Sequence, residues 1–210
     1  MTKFEIWYPC KNYWVYQKFG ENNVCYNPET KKVIGKVNSV CPVGSVSLYQ
    51  YVGMKAHNGE DLMARDGQKV YCSQDGIVVE VQTEPERGLG IGIITDKKYD
   101  LGEYGEHYVK CRYWHLKGFN CKLGDVVKVG QVIGYADNTG YSSGTHLHFE
   151  CKAVEYNPDG SYYNVFQDNG FFGAFDPQPY WNKIYSQDIW IFYKLVELLK
   201  LIINFLKLKK

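Results

Sequence analysis

The stretch Gly144–Glu150, GTHLHFE, decides how the chain is read. Its apolar residues Leu147 and Phe149 alternate with two of the chain's five histidines, His146 and His148. Alternation at every second position is the period of a β-strand, in which residues i and i+2 share a face. As a strand, the segment turns Leu147 and Phe149 into a core and stands the two imidazoles side by side on the other face. Imidazoles held that way share a metal ion, or divide metal binding and proton handling between them. The competing reading of this fragment alone is a polar strand face in water.

The same period recurs around it. From Gly76 onward, GIVVEVQT, GIGIIT, HYVKCRYW and DVVKVGQVIGYA follow one another, separated by glycine or charged turns. Short strands at that spacing predict an antiparallel sheet or barrel. WVYQKFGENN (Trp14–Asn23) reads as a short strand ending at Gly20, and residues 21–47, with their Asn, Pro, Gly and Lys, as a long loop. No amphipathic helix is predicted before residue 185. The prolines of FDPQPYW (Phe175–Trp181) stop a strand and close the domain. In IWIFYKLVELLKLIINFLKLKK, residues 189–210, Lys194, Glu197, Lys200, Asn204 and Lys207 recur every three or four positions. That is one polar stripe on an otherwise apolar helix. The charges interrupt every apolar run short of the ~20 residues of a membrane span.

Composition narrows the classes. A chain of 210 residues is long enough to bury a core without disulfide staples. Its 16% aromatic content, with 19 tyrosines, suits a β-rich protein and a groove that binds a polymer by stacking. A net charge of +1 gives no reason to expect nucleic acid as a partner. The seven cysteines are scattered and contain no C-x-x-C pair, so they read most simply as free thiols, with a Cys25–Cys41 disulfide left open. The opening MTKFEIWYPCKNYW lacks a basic segment followed by an apolar core, so the expectation is a protein made in the cytoplasm without a secretory signal.

Partners for the histidine pair come from AHNGEDL, which offers His57 and Asp61 on either side of Gly59. The glycine breaks a helix, so a strand-to-turn segment is expected there. His, Asp and His are ordinary Zn²⁺ ligands, and three of them leave a fourth position for water, as in a catalytic zinc. RYWHLK places His115 at the end of another strand. His107 reads as an exposed strand residue without a role.

HNGED, YWHL and GYSSGTHLHFE, in that order, resemble the three signatures of the lysostaphin/LytM family of zinc endopeptidases, over roughly residues 14–181. The resemblance implies a mainly β, antiparallel sheet or barrel-like domain built on a duplicated hybrid motif. It implies one Zn²⁺ per chain held by His57, Asp61 and His148, with His115 and His146 catalytic but not ligands. It implies the peptide part of bacterial peptidoglycan as substrate; a non-catalytic module of the same fold, binding wall or an amidase, is the alternative. The H-E-x-x-H helix of commoner metalloproteases is absent, so histidine must replace its glutamate base. A lipoyl- or biotinyl-like carrier, suggested by GDVVKVGQVIG, leaves the histidines unexplained.

The expected organisation is an N-terminal extension (1–13), the LytM-like domain (14–183) and an amphipathic helical tail (184–210). The tail carries five lysines and one glutamate from Trp190 onward, +5 − 1 = +4, which suits an anionic membrane surface, with self-association as the rival. A wall hydrolase without a signal suggests a phage lysin or virion component, with a bacterial protein exported by another route as the alternative. Two segments depart from the family pattern: about thirty residues between QKFGEN and HNGED, and the aromatic stretch Ala153–Phe175. Both are expected to wall a groove and to set substrate preference. The bond cut, and the division of acid and base between the two histidines, stay open.

Overall fold

The computed structural model describes residues 2–11, 14–167 and 169–208. In chain order these form β1 (Ile6–Tyr8), β2 (Val15–Gln17), β3 (Val24–Asn27), β4 (Lys32–Gly35), β5 (Val46–Ser47) and the one-turn helix α1 (Leu48–Tyr51). Then come β6 (Glu60–Met63), β7 (Lys69–Tyr71), β8 (Gly76–Glu84), β9 (Gly88–Thr95), β10 (Tyr99–Asp100) and β11 (Glu106–Phe119). The chain continues through β12 (Val126–Val127), β13 (Val132–Ala136), β14 (His146–Tyr156), β15 (Tyr162–Asn164), β16 (Ala174–Phe175), β17 (Trp181–Tyr185) and helix α2 (Ser186–Leu208). The molecule is mainly β, as the strand period predicts.

One large sheet, in the order β12-β8-β9-β11-β14-β6-β2, holds the core, with β7, β10, β13, β15 and β16 attached at its sides. Its pairings are antiparallel throughout. β14 runs near its middle and keeps strict alternation. Leu147, Phe149, Cys151 and Ala153 enter the apolar core, while His146, His148, Glu150 and Lys152 line the opposite face. On β11, Val109, Cys111 and Tyr113 likewise enter the core. Each large apolar side chain buried this way contributes roughly 1.5–3 kcal/mol relative to exposure.

β11 changes partner along its length. Up to Trp114 it pairs with β14, and from Leu116 it pairs with β13. The switch falls on His115, whose φ of 61° lies in the left-handed region. A non-glycine residue there is uncommon and is held only where its surroundings dictate it. The result is a bulge that folds the sheet over and re-aims one side chain. The sequence expectation put His115 at a strand end; it lies inside a long strand, at its bend.

Other expectations are corrected as well. Residues 21–47 are not a long loop: β3, β4 and β5 form a separate three-stranded antiparallel sheet. Asn27 Oδ1 accepts from the backbone N–H of Glu29 and Thr30 at 3.0 and 2.9 Å, so the Asn-Pro cluster is a hairpin turn. A Cys25–Cys41 disulfide ties this sheet, which settles the pairing left open; Cys10, Cys72, Cys111, Cys121 and Cys151 are free. α1, unforeseen, is capped by Ser47, whose Oγ accepts from Gln50 N–H at 3.5 Å. His107 is half-buried rather than exposed, with Nδ1 2.8 Å from Glu155 Oε1. The segment before residue 14 contributes β1, which pairs in parallel with β17, and sends Phe4, Ile6 and Cys10 into the core.

Candidate metal centre

β6 and β14 pair so that Asp61 stands directly opposite His148, and Met63 opposite His146. His57 arrives from the turn just before β6. Gly59, between them, lies so close to β14 that a Cβ there would run into the Phe149 carbonyl oxygen and the His148 ring. Only glycine admits this approach, which explains the G of H-x-G-x-D.

Three polar atoms converge there. His57 Nε2 is 2.9 Å from His148 Nδ1 and 3.2 Å from Asp61 Oδ1, and His148 Nδ1 is 3.0 Å from Asp61 Oδ1. All three residues are buried, 3–8% exposed. These separations approach the ~3.3 Å edge of a tetrahedron whose N and O ligands stand ~2.0 Å from Zn²⁺. The second nitrogen of His57 fixes its tautomer. His57 Nδ1 donates to the Lys18 carbonyl at 3.1 Å, which leaves the Nε2 lone pair facing the centre. His148 Nε2 faces Glu150 Oε2 at 4.0 Å. The donor set and its orientation fit a divalent metal ion.

His115 and His146 stand beside this triangle with ring centroids 4.5 Å apart. His115 Nδ1 donates to the Thr139 carbonyl at 2.6 Å, and His146 Nδ1 to the Gly144 carbonyl at 2.8 Å. His146 Nε2 lies 3.4 Å from Asp61 Oδ1. Burial, reinforced by the charges of His146 and His148, pushes the His115 pKa down to about 3. Burial also works against the charged form of His146, but Asp61 outweighs it and raises the value. For Asp61, burial is overcome by His57 and His146, which hold the carboxyl well below its usual range.

Behind the centre lies a buried charged network that the sequence reading missed. Glu150 is wholly buried and takes a short hydrogen bond from Asn58 and one from Arg112 Nη1 at 2.6 Å. Arg112 also reaches Glu80 at 2.7 Å, and Lys110 meets the same carboxylate at 2.8 Å. Burial would raise the Glu150 pKa, but Lys152 and Arg112 hold it well below the usual carboxylate range. Thus Asn58, the unspecified residue of H-x-G-x-D, ties the first ligand segment to the strand of the third.

The centre opens into a groove of about 720 Å³. Both unusual insertions line it, with Val24 and Val33 from the small sheet and Phe172 from the aromatic segment. Tyr26 stacks on Tyr141 with centroids 4.8 Å apart, which ties the small sheet to the loop before β14. The Arg87 guanidinium sits over both Trp114 and Phe172, at 5.5 and 5.7 Å.

A His-Asp-His cradle flanked by two further imidazoles, on an antiparallel sheet and open to a groove, is a donor set suited to a metal ion. The comparisons agree. The sequence model of Peptidase family M23 matches residues 55–162, just over half of the 210 residues and all five site positions, and the chain belongs to that family. This is the family whose signatures the sequence carries. The chain is 39% identical over 125 residues to glycyl-glycine endopeptidase ALE-1 of Staphylococcus capitis, a match covering 59% of this chain and 28% of that protein. It is 38% identical over 94 residues to peptidoglycan DD-endopeptidase ShyA of Vibrio cholerae, covering 45% and 20%. The matched part is thus less than a third of either relative's length. The solved structure of Helicobacter pylori Csd3 superposes with a TM-score of 0.51 at 19% identity, covering 97% of this chain and 43% of that one, a likeness of fold alone.

Proposed function

We propose that this chain is a zinc endopeptidase that hydrolyses an amide bond in the peptide part of bacterial peptidoglycan. The observation that carries the reading is the convergence of His57 Nε2, Asp61 Oδ1 and His148 Nδ1 beside His115 and His146 on an open groove. His57, Asp61 and His148 would hold Zn²⁺, which would supply Lewis acidity for the carbonyl and the attacking water. The chain's own residues do the rest. His115 and His146 each spend Nδ1–H on a backbone carbonyl, so each neutral ring offers Nε2 as a proton acceptor. One takes the proton of the attacking water; it or its neighbour returns a proton to the leaving amine. The groove's aromatic walls orient the peptide.

The names of the relatives supply two bond types, a glycyl-glycine bond and a D,D peptide bond. The test is incubation with purified peptidoglycan of both kinds, followed by mass spectrometry of the released peptides. The expected result is hydrolysis of one bond type, abolished by a chelator and restored by Zn²⁺. Stoichiometric metal without any released peptide would favour the alternative, a non-catalytic wall-binding module.

A further inference from the structure

Helix α2 is apolar around a wide arc, and one strip of that arc is exposed. Ile191, Leu195, Leu198, Leu199, Ile202 and Leu206 recur at helical intervals, so steps of ~100° collect them within about half the circumference. Each is 49–59% exposed. At the edge of this strip, Lys194 Nζ pairs with Glu197 Oε2 at 3.0 Å and lies 4.7 Å over the Trp190 ring. Lys200 and Asn204 lie with Glu197 on the side opposite the strip. Among the described residues, α2 packs substantially only on β17, the strand that runs into it.

A strip of this size marks an interaction surface, and charge selects the occupant. The segment from Trp190 onward carries +4, and with +1 for the chain, the remainder carries +1 − 4 = −3. A second copy would set +4 against +4. An anionic lipid surface offers opposite charge to the lysines and an apolar interior to the strip. Each lysine near such a surface adds to the attraction. No helix among the described residues is long and apolar enough to cross a membrane. We propose that α2 is an interfacial helix that lies flat on an anionic bilayer, with its apolar strip among the upper acyl carbons, its lysines at the headgroups, and Trp190 at the boundary.

Flotation of the full chain with phosphatidylglycerol/phosphatidylcholine vesicles, against phosphatidylcholine alone, tests this. The chain should float with the anionic vesicles and largely stay behind with the neutral ones or at high salt. The variant Leu195→Gln/Leu199→Gln/Ile202→Gln/Leu206→Gln should lose on the order of 100-fold or more in partition, with thermal midpoint and metal content unchanged. A second variant, Lys194→Gln/Lys200→Gln, keeps the strip and should lose about tenfold or more. Wild-type chain that stays at the bottom with anionic vesicles overturns the proposal. If it also runs as a dimer that the four-glutamine variant abolishes, the strip is a self-association face. Flotation of both variants like wild type also overturns it.

Discussion

A single added carbon at Gly59 would strike the Phe149 carbonyl and the ring of His148. Gly59→Ala should therefore push β6 off β14 and weaken metal binding by roughly 10–100-fold, since the ligands keep their chemistry but lose their aim; metal titration reads this, and unchanged affinity would refute it. His57→Ala, Asp61→Ala and His148→Ala should each lose most of the metal. His115→Ala and His146→Ala should keep it and lose ~10²–10⁴ in turnover. Elemental analysis and peptide release, on the same preparations, separate the two groups. Glu60, on the strand face away from Asp61, gives a prediction in pH. It is buried, with Oε2 accepting from Trp181 Nε1 at 2.6 Å and Oε1 without a partner, and burial raises its pKa to about 7 against that hydrogen bond's opposing pull. The folded state then holds the proton more tightly than the unfolded chain, whose value is 4.5. Stability should fall as pH rises from 4.5 through 7, by up to roughly 3 kcal/mol. Glu60→Gln should flatten that fall in urea titrations across the range; an unchanged slope would assign it elsewhere. At this scale the sequence marks the five residues that the fold brings together, because glycine and histidine spacing is local. It does not mark Glu150 or Arg112 as buried. Both continue the alternation of their strands, and a charge in alternation reads as a wet face. Here the segment bearing Tyr162 and Phe172 lies over that face, and nothing near Glu150 in the chain announces the cover.

Among the elements, the three-stranded sheet of residues 24–47 diverges most from its reading. A run of Asn, Pro, Gly and Lys resembles a loop when each residue is weighed alone. What makes it a sheet is the pairing of Cys25 with Ile34 and Ser47, and the disulfide across 16 residues. Closing a loop of that length is worth about 3 kcal/mol through the unfolded state. Cys25→Ser/Cys41→Ser should therefore speed amide hydrogen exchange across β3 and β4. It should also lower kcat/KM severalfold with metal content intact, because Tyr26 would no longer hold Tyr141 at the groove wall. Exchange rates equal to wild type would mean that strand pairing alone suffices. The β14 region, by contrast, is legible almost residue by residue, since apolar side chains take one face and polar ones the other, although both faces are covered.

At the scale of the whole molecule, β1 and β17 join distant parts of the chain, and with them Phe4 and Ile6, both fully buried, complete the core. No local pattern foretells this, because a three-residue strand has too few positions to show a period. Removing residues 2–8 should cost roughly 4–6 kcal/mol of apolar burial against a typical total of ~5–15, and lower the thermal midpoint by about 10–20 °C. Calorimetry of the shortened chain reads the shift, and a midpoint within a degree or two of the full chain's would show the strand to be dispensable. The parallel sense of that pair has a mechanical consequence. Tension applied before β1 and beyond β17 drags the two strands past each other lengthwise, so their hydrogen bonds share the load at once instead of unzipping in turn. A molecule stretched between those two points would grip hardest in the direction in which it is pulled.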